Sequence, residues 1–139
     1  MTSLPIFTAG AALLALPFLT GCQHTGSVRT VTDADNGGTI TLGSRDRLEV
    51  LLHGNPSTGY TWQTLKINSW VLSPLGRPAF TPGPNPGSDE PRVGAAGTFR
   101  FVYQTLGTGS SPLELAYARP WEPDSDPSRT FKITVVVSR

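Results

Sequence analysis

The chain has 139 residues, which is enough for one domain of ordinary size and too few for a two-domain enzyme. Eleven Lys and Arg against ten Asp and Glu leave a formal charge of +1, with no long run of either sign, so the basic surface expected of a nucleic-acid-binding protein is missing. Only 15% of residues are charged, whereas Gly (15) and Pro (13) are abundant. This composition favours strands and turns over helices, and we expect no nucleic-acid partner.

The N-terminal segment has no charged side chain before Cys22, and residues 4–19 are mainly Leu, Ala, Ile and Phe. This stretch is short for a membrane span and is interrupted by Gly10 and Pro17, so it fits the apolar region of a secretory signal peptide better than a transmembrane helix. It departs from the usual signal pattern because only the N-terminal α-amino group supplies positive charge. We predict a signal peptide over residues 1–21.

The predicted signal peptide runs into Leu19-Thr20-Gly21-Cys22. This run resembles the lipobox of bacterial lipoproteins, in which the Cys thiol is diacylated before cleavage leaves that Cys as the new N-terminus. The resemblance implies that Cys22 is a lipid anchor and that the protein is exported to the bacterial cell envelope, on the periplasmic or surface side of a membrane. Multiple acylation makes such an anchor stable. The alternative is an unlipidated segment with a buried Cys.

Cysteine and histidine are too rare for a stabilising crosslink or a zinc site. Cys22 is the only cysteine, which excludes an internal disulfide, and the chain has two His. We expect no metal and no cofactor, so the stability of the fold must come from its apolar core.

Residues 23–35 are polar and lack apolar periodicity, so we predict that residues 22–35 form the lipidated Cys and a tether and that one domain spans residues 36–139. Within this domain apolar residues alternate with polar ones, as in strands that bury one face. Six runs show the alternation: Ile40 and Leu42; Leu48, Val50 and Leu52; Tyr60 and Trp62; Phe99, Phe101 and Tyr103; Leu113, Leu115 and Tyr117; Phe131, Ile133, Val135 and Val137. They predict an all-β sandwich or barrel.

A seventh strand is expected near Val71 or Phe80. The segment from Ser73 to Arg92 holds six Pro and three Gly. Because Pro cannot donate to a sheet ladder, we predict much of this segment to be an extended loop or a protected sheet edge.

The segment Asn55–Tyr60 links two predicted strands, and its residue order predicts a stiff turn. Asn55 suits the first position of a turn, Pro56 fixes φ at about −65° in the second, and Gly59 tolerates a positive φ. Thr58 is expected at the tip. Taken alone, the pattern also fits an ordinary hairpin turn.

Two further loops carry residues suited to binding. Residues 93–98 are Val-Gly-Ala-Ala-Gly-Thr and lead directly into the strand at Phe99, so the backbone there can approach a partner closely. In Ala118–Pro123 two prolines stiffen a loop that carries Arg119 and Trp121, residue types that are enriched at binding hot spots. The alternative for Trp121 is a lid folded back onto the core.

Together, the three segments resemble the chagasin family of cysteine-peptidase inhibitors. The resemblance covers roughly residues 36–138. It rests on three motifs: Asn55-Pro56-Ser57-Thr58-Gly59-Tyr60 followed by Trp62, the turn Gly94-Ala95-Ala96-Gly97 before Thr98, and Arg119-Pro120-Trp121 directly after the strand at residues 113–117. One position departs from the family, whose glycine-rich turn usually has Gly where this chain has Ala96.

The resemblance implies an immunoglobulin-like β-sandwich of about seven strands and a reversible, non-covalent inhibitor of papain-like cysteine proteases that is not itself an enzyme. In that family the three loops lie side by side and enter the protease cleft as a wedge. By position, Thr58 would lie near the catalytic Cys of the protease, residues 94–97 would flank it, and Arg119 and Trp121 would contact the far side. We expect Trp62 in the core and the protein to be a monomer.

Three other functions fit parts of the sequence. A hydrolase would need a base, and within the domain only His53, beside the first loop, is placed to supply one. A calcium site at Glu122, Asp124 and Asp126 would lack the six to eight oxygen ligands of recognised calcium motifs. The third alternative is a lipid-anchored immunoglobulin-like module of the bacterial envelope that binds a non-protease partner, because a fold does not fix a function.

Overall fold

A computed structural model describes residues 25–85 and 87–139, so the predicted signal peptide and Cys22 lie outside the described residues. The described chain consists of strands joined by turns, with two single-turn 3-10 helices at Asp33–Asp35 and Pro56–Thr58. Its eleven strand segments are β1 (Val28–Thr32), β2 (Thr39–Gly43), β3 (Arg47–Gly54), β4 (Thr61–Ile67), β5 (Leu72–Pro74), β6 (Ala79–Pro82), β7 (Pro84–Asn85), β8 (Ser88–Pro91), β9 (Gly97–Thr105), β10 (Gly109–Ala118) and β11 (Arg129–Ser138). None of the described residues belongs to a helix long and apolar enough to cross a bilayer.

Two sheets pack face to face as a sandwich. The first sheet has the order β1-β3-β9-β5, with β6 also paired to β9, and the second has the order β2-β11-β10-β4. The pairs β1-β3 and β2-β11 are parallel and the remaining pairs are antiparallel. The chain changes sheet between β1 and β2, so this N-terminal segment ties the two sheets together. The predicted all-β, immunoglobulin-like sandwich is confirmed.

The core lies between the sheets and is made by the alternate, inward-facing residues of their strands. Its fully buried members with the largest side chains are Tyr103, Phe131, Leu48, Leu52, Leu72, Leu113 and Leu115. Trp62 is only 4% exposed, which confirms its predicted place in the core. The six predicted alternating runs all fall on or directly beside strands, because burial of one sheet face is what produced their period.

Two polar groups stabilise the strand arrangement. Glu49 accepts hydrogen bonds from Arg100 and from the Thr30 hydroxyl, and so joins β1, β3 and β9 on the outer face of the first sheet. The hydrogen bond from Arg100 lowers the pKa of the Glu49 carboxyl. Between the sheets, the Tyr103 hydroxyl lies 3.0 Å from Thr64 Oγ1, and burial raises the pKa of Tyr103.

The domain begins earlier than the sequence indicated. β1 lies inside the segment assigned to a polar tether, pairs with β3 from Val28↔Arg47 to Thr32↔Leu51, and places Val31 fully inside the core. The prediction that the domain starts near Asn36 is therefore wrong. β1 buries only Val31 of its five residues, so the segment gives no alternating signal in the sequence.

The proline-rich segment supplies an edge of the first sheet, as predicted. β5 and β6 both pair with β9, and β7 pairs with β8 as a separate hairpin. The strand expected near Val71 or Phe80 is thus present as two short segments. This division, together with β1, β7 and β8, accounts for the eleven strand segments of the described residues, where seven were expected.

The sandwich has two ends with different connections. The end that holds the β3-β4, β8-β9 and β10-β11 connections, here called the loop end, also holds the turn between β1 and β2. The opposite end holds Thr25–Ser27 and the β2-β3, β4-β5 and β9-β10 connections. The predicted binding loops all lie at the loop end.

If β1 is part of the folded domain, shortening its one buried side chain must destabilise the protein. We expect Val31→Ala to lower the free energy of unfolding by roughly 2 kcal/mol, because it leaves a cavity against the core. The matched control is Val28→Ala on the same strand, where the side chain is 58% exposed and we expect a change within about 0.5 kcal/mol. Urea denaturation measures both changes. Equal effects of the two substitutions would show that β1 belongs to the tether and not to the folded domain.

Candidate functional site

Three connections meet at the loop end, and they are the three segments that the sequence singled out. Loop 1 is residues 55–60 between β3 and β4, loop 2 is residues 92–97 and ends at the first residue of β9, and loop 3 is residues 119–128 between β10 and β11. The strand pairs Gly54↔Gly97 and Thr61↔Ala118 bring the bases of these loops together.

Loop 1 is a tight turn whose polar groups are bonded within the loop. Asn55 caps the 3-10 turn: its side-chain Oδ1 accepts hydrogen bonds from Ser57 N (3.0 Å) and Ser57 Oγ (2.6 Å). Thr58 Oγ1 donates to Asn55 O (2.7 Å), and Gly59 N donates to Pro56 O (3.0 Å). Gly59 has φ +83°, the left-handed conformation that its predicted role requires.

The base of loop 1 is bonded to a tyrosine that also belongs to the core. The Tyr117 hydroxyl accepts a hydrogen bond from Asn55 N (2.7 Å) and donates one to Asn55 O (3.1 Å). Its ring is buried, stacks on Tyr60 (centroids 5.4 Å apart) and lies against Trp62 (5.2 Å). The position of loop 1 is therefore set by the packed interior of the sandwich.

Arg129, the first residue of β11, covers this aromatic group from the outside. Its guanidinium lies 4.5 Å from the Tyr117 ring centroid and 5.3 Å from that of Trp62. Arg129 Nη2 donates to His53 O (2.6 Å), the carbonyl that also accepts from Trp62 Nε1 (3.1 Å). This cation thus holds the strand that precedes loop 1 against the strand that follows loop 3.

Loop 2 is attached to loop 1 through one carbonyl. Gly94 O accepts hydrogen bonds from Asn55 Nδ2 (3.1 Å) and Ser57 Oγ (3.3 Å). The exposed Ala96, the departure from the family pattern, directs its carbonyl to Gly83 N (2.9 Å). At Gly97 a Cβ would lie 2.2 Å from Thr81 O, so a glycine is needed there for β6 to approach β9.

Loop 3 rests on loop 1 through its tryptophan. A Cβ at Gly59 would lie 2.4 Å from Trp121 Cη2, so the indole covers the bare face of that glycine. Trp121 nevertheless remains 65% exposed. The alternative of Trp121 as a lid on the core is therefore wrong, and its ring is presented to solvent at the loop end.

The Arg119 side chain packs against Tyr60 and Glu122 of the same end. Its guanidinium carbon lies 4.7 Å from the Tyr60 ring centroid, and Nη1 lies 3.4 Å from Glu122 Oε1. Arg119 Nε is buried and has no hydrogen-bond partner among the described residues. Glu122 N donates to Arg119 O (3.1 Å), so the start of loop 3 is itself a turn.

The loop end presents a mixed surface of exposed apolar and small groups. Its exposed apolar groups include Trp121 and Val93, which is fully exposed beside Gly94. Pro56 and Thr58 are exposed on loop 1. Exposed apolar side chains on fixed loops are suited to contact with another protein.

All thirteen predicted binding positions lie in these loops, and the structure brings the three groups into contact. Sequence reasoning missed one residue of the site. Tyr117 was assigned to the core by its alternation, and only a fold could show that its hydroxyl holds loop 1. Val93 belongs to the candidate loop over residues 93–98 but was not among the predicted binding residues.

The alternative sites receive no geometric support. His53 is exposed and lies beside loop 1, with its backbone N–H bonded to Asp33 Oδ2 (3.0 Å). Across residues 25–85 and 87–139 there is no group of three or more His, Cys, Asp or Glu side chains that could hold a metal ion.

The comparisons with known proteins agree with this geometry. The chain is similar to Amoebiasin-1 of Entamoeba histolytica, at 31% identity over 78% of this chain and 98% of that protein. It is similar to Chagasin of Trypanosoma cruzi, at 30% identity over 74% of this chain and 92% of that protein. The crystal structure of EhICP2, a cysteine protease inhibitor from Entamoeba histolytica, matches with a TM-score of 0.70 and 26% identity over 81% of this chain and 96% of that one.

The family model described as Chagasin family peptidase inhibitor I42 matches residues 41–135, which is more than half of the chain and includes all three loops. The family consists of peptidase inhibitors, which supports the expectation that the chain is not an enzyme. The chain belongs to the chagasin family of peptidase inhibitors.

Proposed function

We propose that this protein is a reversible, non-covalent inhibitor of papain-like cysteine proteases, and that loops 1, 2 and 3 enter the active-site cleft of the protease together. The single observation that carries the proposal is the fixed contact of the three loops: Asn55 bonded to loop 2 and Trp121 seated on Gly59. Family membership supports the target class. The alternative, an envelope module with a non-protease partner, has no support from these relationships.

Loop 1 can occupy the cleft without being cleaved. A protease attacks a carbonyl that is held beside its thiolate and its oxyanion donors. The carbonyls of Asn55 and Pro56 already accept hydrogen bonds from Thr58 Oγ1 and Gly59 N, and the turn holds them away from an extended, substrate-like geometry. Thr58, exposed at this turn, is the residue we place nearest the protease thiolate.

Rigidity is what makes a small wedge bind well. Each loop is bonded to a neighbour or to the sheets before it meets a partner, so little conformational entropy remains to be lost on docking. Three loops side by side can approach the roughly 1,600 Å² that protease–inhibitor interfaces bury. In this arrangement Trp121 and Val93 supply apolar contacts, and Arg119 contributes chiefly by supporting loop 3 through Tyr60.

The proposal is tested by titrating the protein against a panel of papain-like proteases. We expect competitive, reversible inhibition and recovery of the intact inhibitor after long incubation. A second titration uses protease whose catalytic Cys carries a large cleft-filling alkyl group. Unchanged binding to that protease would contradict insertion of the loops, and failure to inhibit any member of the panel would contradict the function.

We further propose that the mature protein is a monomer anchored through lipid on Cys22 at the bacterial cell envelope. The support is the Leu19-Thr20-Gly21-Cys22 run after an uncharged apolar segment. Mass spectrometry of membrane-extracted protein is expected to show loss of residues 1–21 and acyl mass on Cys22. An intact N-terminus at Met1, or membrane partition unchanged in Cys22→Ser, would contradict the anchor.

Trp121 should contribute most to affinity, because it offers a large rigid apolar surface at small entropic cost. We expect Trp121→Ala to weaken inhibition by about 2 kcal/mol or more, roughly thirtyfold in the inhibition constant, and Thr58→Ala to cost less. Trp70→Ala is the control, since Trp70 is 87% exposed at the opposite end. If the inhibition constant of Trp121→Ala equals that of the control, Trp121 does not contact the protease and loop 3 is not part of the interface.

Gly59 allows a test that separates backbone strain from loop contact. Gly59→Ala places a methyl at φ +83° and against the Trp121 ring, so we expect the inhibition constant to rise at least about tenfold. Gly37 has the same φ, but a Cβ added there would meet nothing within 4 Å, which makes Gly37→Ala the matched control. Both variants should lose about 1–2 kcal/mol of stability in denaturation, and only Gly59→Ala should inhibit poorly.

Tyr117 is a positioning residue whose hydroxyl can be removed while its ring stays. Tyr117→Phe leaves the backbone N–H of Asn55 without its partner and removes one of the donors to Asn55 O, which still accepts from Thr58 Oγ1. We expect a loss of about 1–3 kcal/mol in stability together with several-fold weaker inhibition. Tyr103→Phe removes a buried hydroxyl bonded to Thr64 instead, far from the loops. If both variants weaken inhibition of the folded protein equally, the Tyr117 hydroxyl does not position loop 1.

A further inference from the structure

We propose that the end of the sandwich opposite the three loops docks on an anionic phospholipid bilayer, with Trp70 and Leu106 inserted at the level of the headgroups. The proposal rests on the lipid anchor proposed at Cys22 and adds a second, non-covalent contact with the membrane. It would leave loops 1, 2 and 3 directed away from the lipid.

The first observation is an exposed apolar surface on two connections that are bonded to each other. Trp70 is 87% exposed and Leu106 is 58% exposed, on the β4-β5 and β9-β10 connections. The two connections abut, because Leu106 N donates to Val71 O (2.9 Å) and a Cβ at Gly107 would lie 2.9 Å from Trp70 O. Tryptophan is the side chain that membrane proteins favour at the boundary between headgroups and acyl chains.

The turn that carries Trp70 is fixed from both sides. Asn68 Oδ1 accepts from Trp70 N (3.2 Å), and Asn68 N donates to the buried Ser111 Oγ (2.9 Å). Val71 and Leu72, the next two residues, are buried in the core. Trp70 therefore cannot turn inward without breaking this anchored turn, and its exposure is built into the fold.

The second observation is the separation of charge between the two ends. Around the opposite end the exposed cations include Arg29, Arg45, Arg47, Lys66 and Arg139. The carboxylate near them, Asp46, accepts hydrogen bonds from Ser27 N (2.7 Å) and Gly43 N (2.7 Å). The loop end carries the acidic residues Asp33, Asp35, Glu122, Asp124 and Asp126. These outnumber the cations of the same end, Arg92, Arg119 and Arg129. An anionic surface would therefore attract the first end in preference to the second.

The third observation is where the described chain begins. Ser27 is held at the opposite end by its bond to Asp46 and by Arg47 N, which donates to Ser27 O (2.8 Å). Only Gln23 and His24 separate Thr25 from Cys22, so three peptide steps join them, a reach of at most about 10 Å. An acyl anchor on Cys22 would therefore bring this end against the bilayer, and a second membrane signal is what such anchors use to hold firmly.

The test uses the full chain, made by cell-free synthesis so that Cys22 keeps its thiol. Cys22 is the sole cysteine, so it can be coupled specifically to maleimide-bearing lipid in vesicles of phosphatidylcholine and phosphatidylglycerol that contain lipid brominated near the headgroup. Bromine quenches tryptophan that enters the bilayer. We expect quenching in the unaltered chain, its loss in Trp70→Phe and its retention in Trp121→Phe, with less quenching at high salt or in vesicles of phosphatidylcholine alone.

Each other outcome overturns the proposal. Quenching that is absent in the unaltered chain, or equal in Trp70→Phe, would remove Trp70 from the bilayer, and quenching lost in Trp121→Phe would place the loops there instead. A dimer in sedimentation without vesicles that Trp70→Phe dissociates would assign the surface to a second copy. Because the coupling supplies the anchor and papain inhibition is assayed on the same vesicles, failure of docking is distinguishable from failure of lipidation or of inhibition.

Discussion

The arrangement of the loop end depends on the pair of hydrogen bonds between the Tyr117 hydroxyl and the backbone of Asn55. Tyr117 lies near the end of β10, one residue before the strand gives way to loop 3, and its ring is buried among Tyr60, Trp62 and Phe99. The first residue of loop 1 is thus fixed by a side chain whose position is set by core packing. A polar tip on an aromatic body can provide both contacts at once.

From Asn55 the constraint passes outward to the other two loops. The side chain of Asn55 bonds loop 2 at Gly94 O, and the turn that it caps brings Gly59 under Trp121. Loop 1 therefore lies at the centre, and loops 2 and 3 are held against it by one polar and one apolar contact. Trp121 can therefore have a defined position although it is exposed, because its ring packs against the backbone of Gly59.

The sequence was sufficient for the fold class and for the location of the loops, since both depend on local patterns. Alternation identified the main strands, and Asn55, Pro56 and Gly59 each have a conformational preference that the observed turn uses. What escaped prediction depends on contacts between distant residues. β1 buries one residue, Val31, and is held by parallel pairing to β3, for which five residues contain no signal.

The same limit applies within the site. Alternation places Tyr117 inside the sandwich but cannot indicate that its hydroxyl meets a backbone 62 residues away. The resemblance implied that Arg119 and Trp121 both contact the far side of the protease cleft. In the structure Trp121 is presented outward and Arg119 packs on Tyr60 with a buried Nε. Arg119 and Trp121 lie two positions apart in the same loop, but their different contacts give them different roles.

The placement of β1 also changes what a lipid anchor would do. A tether that reached Asp35 would let the domain move freely above a membrane, but β1 is fixed along β3 with its first residue at the opposite end. The strands between the two ends are long, ten residues in β10, or about 33 Å. In the proposed arrangement the paired strands therefore act as a stiff spacer, which keeps the acidic loop end and its protease-binding surface clear of an anionic bilayer.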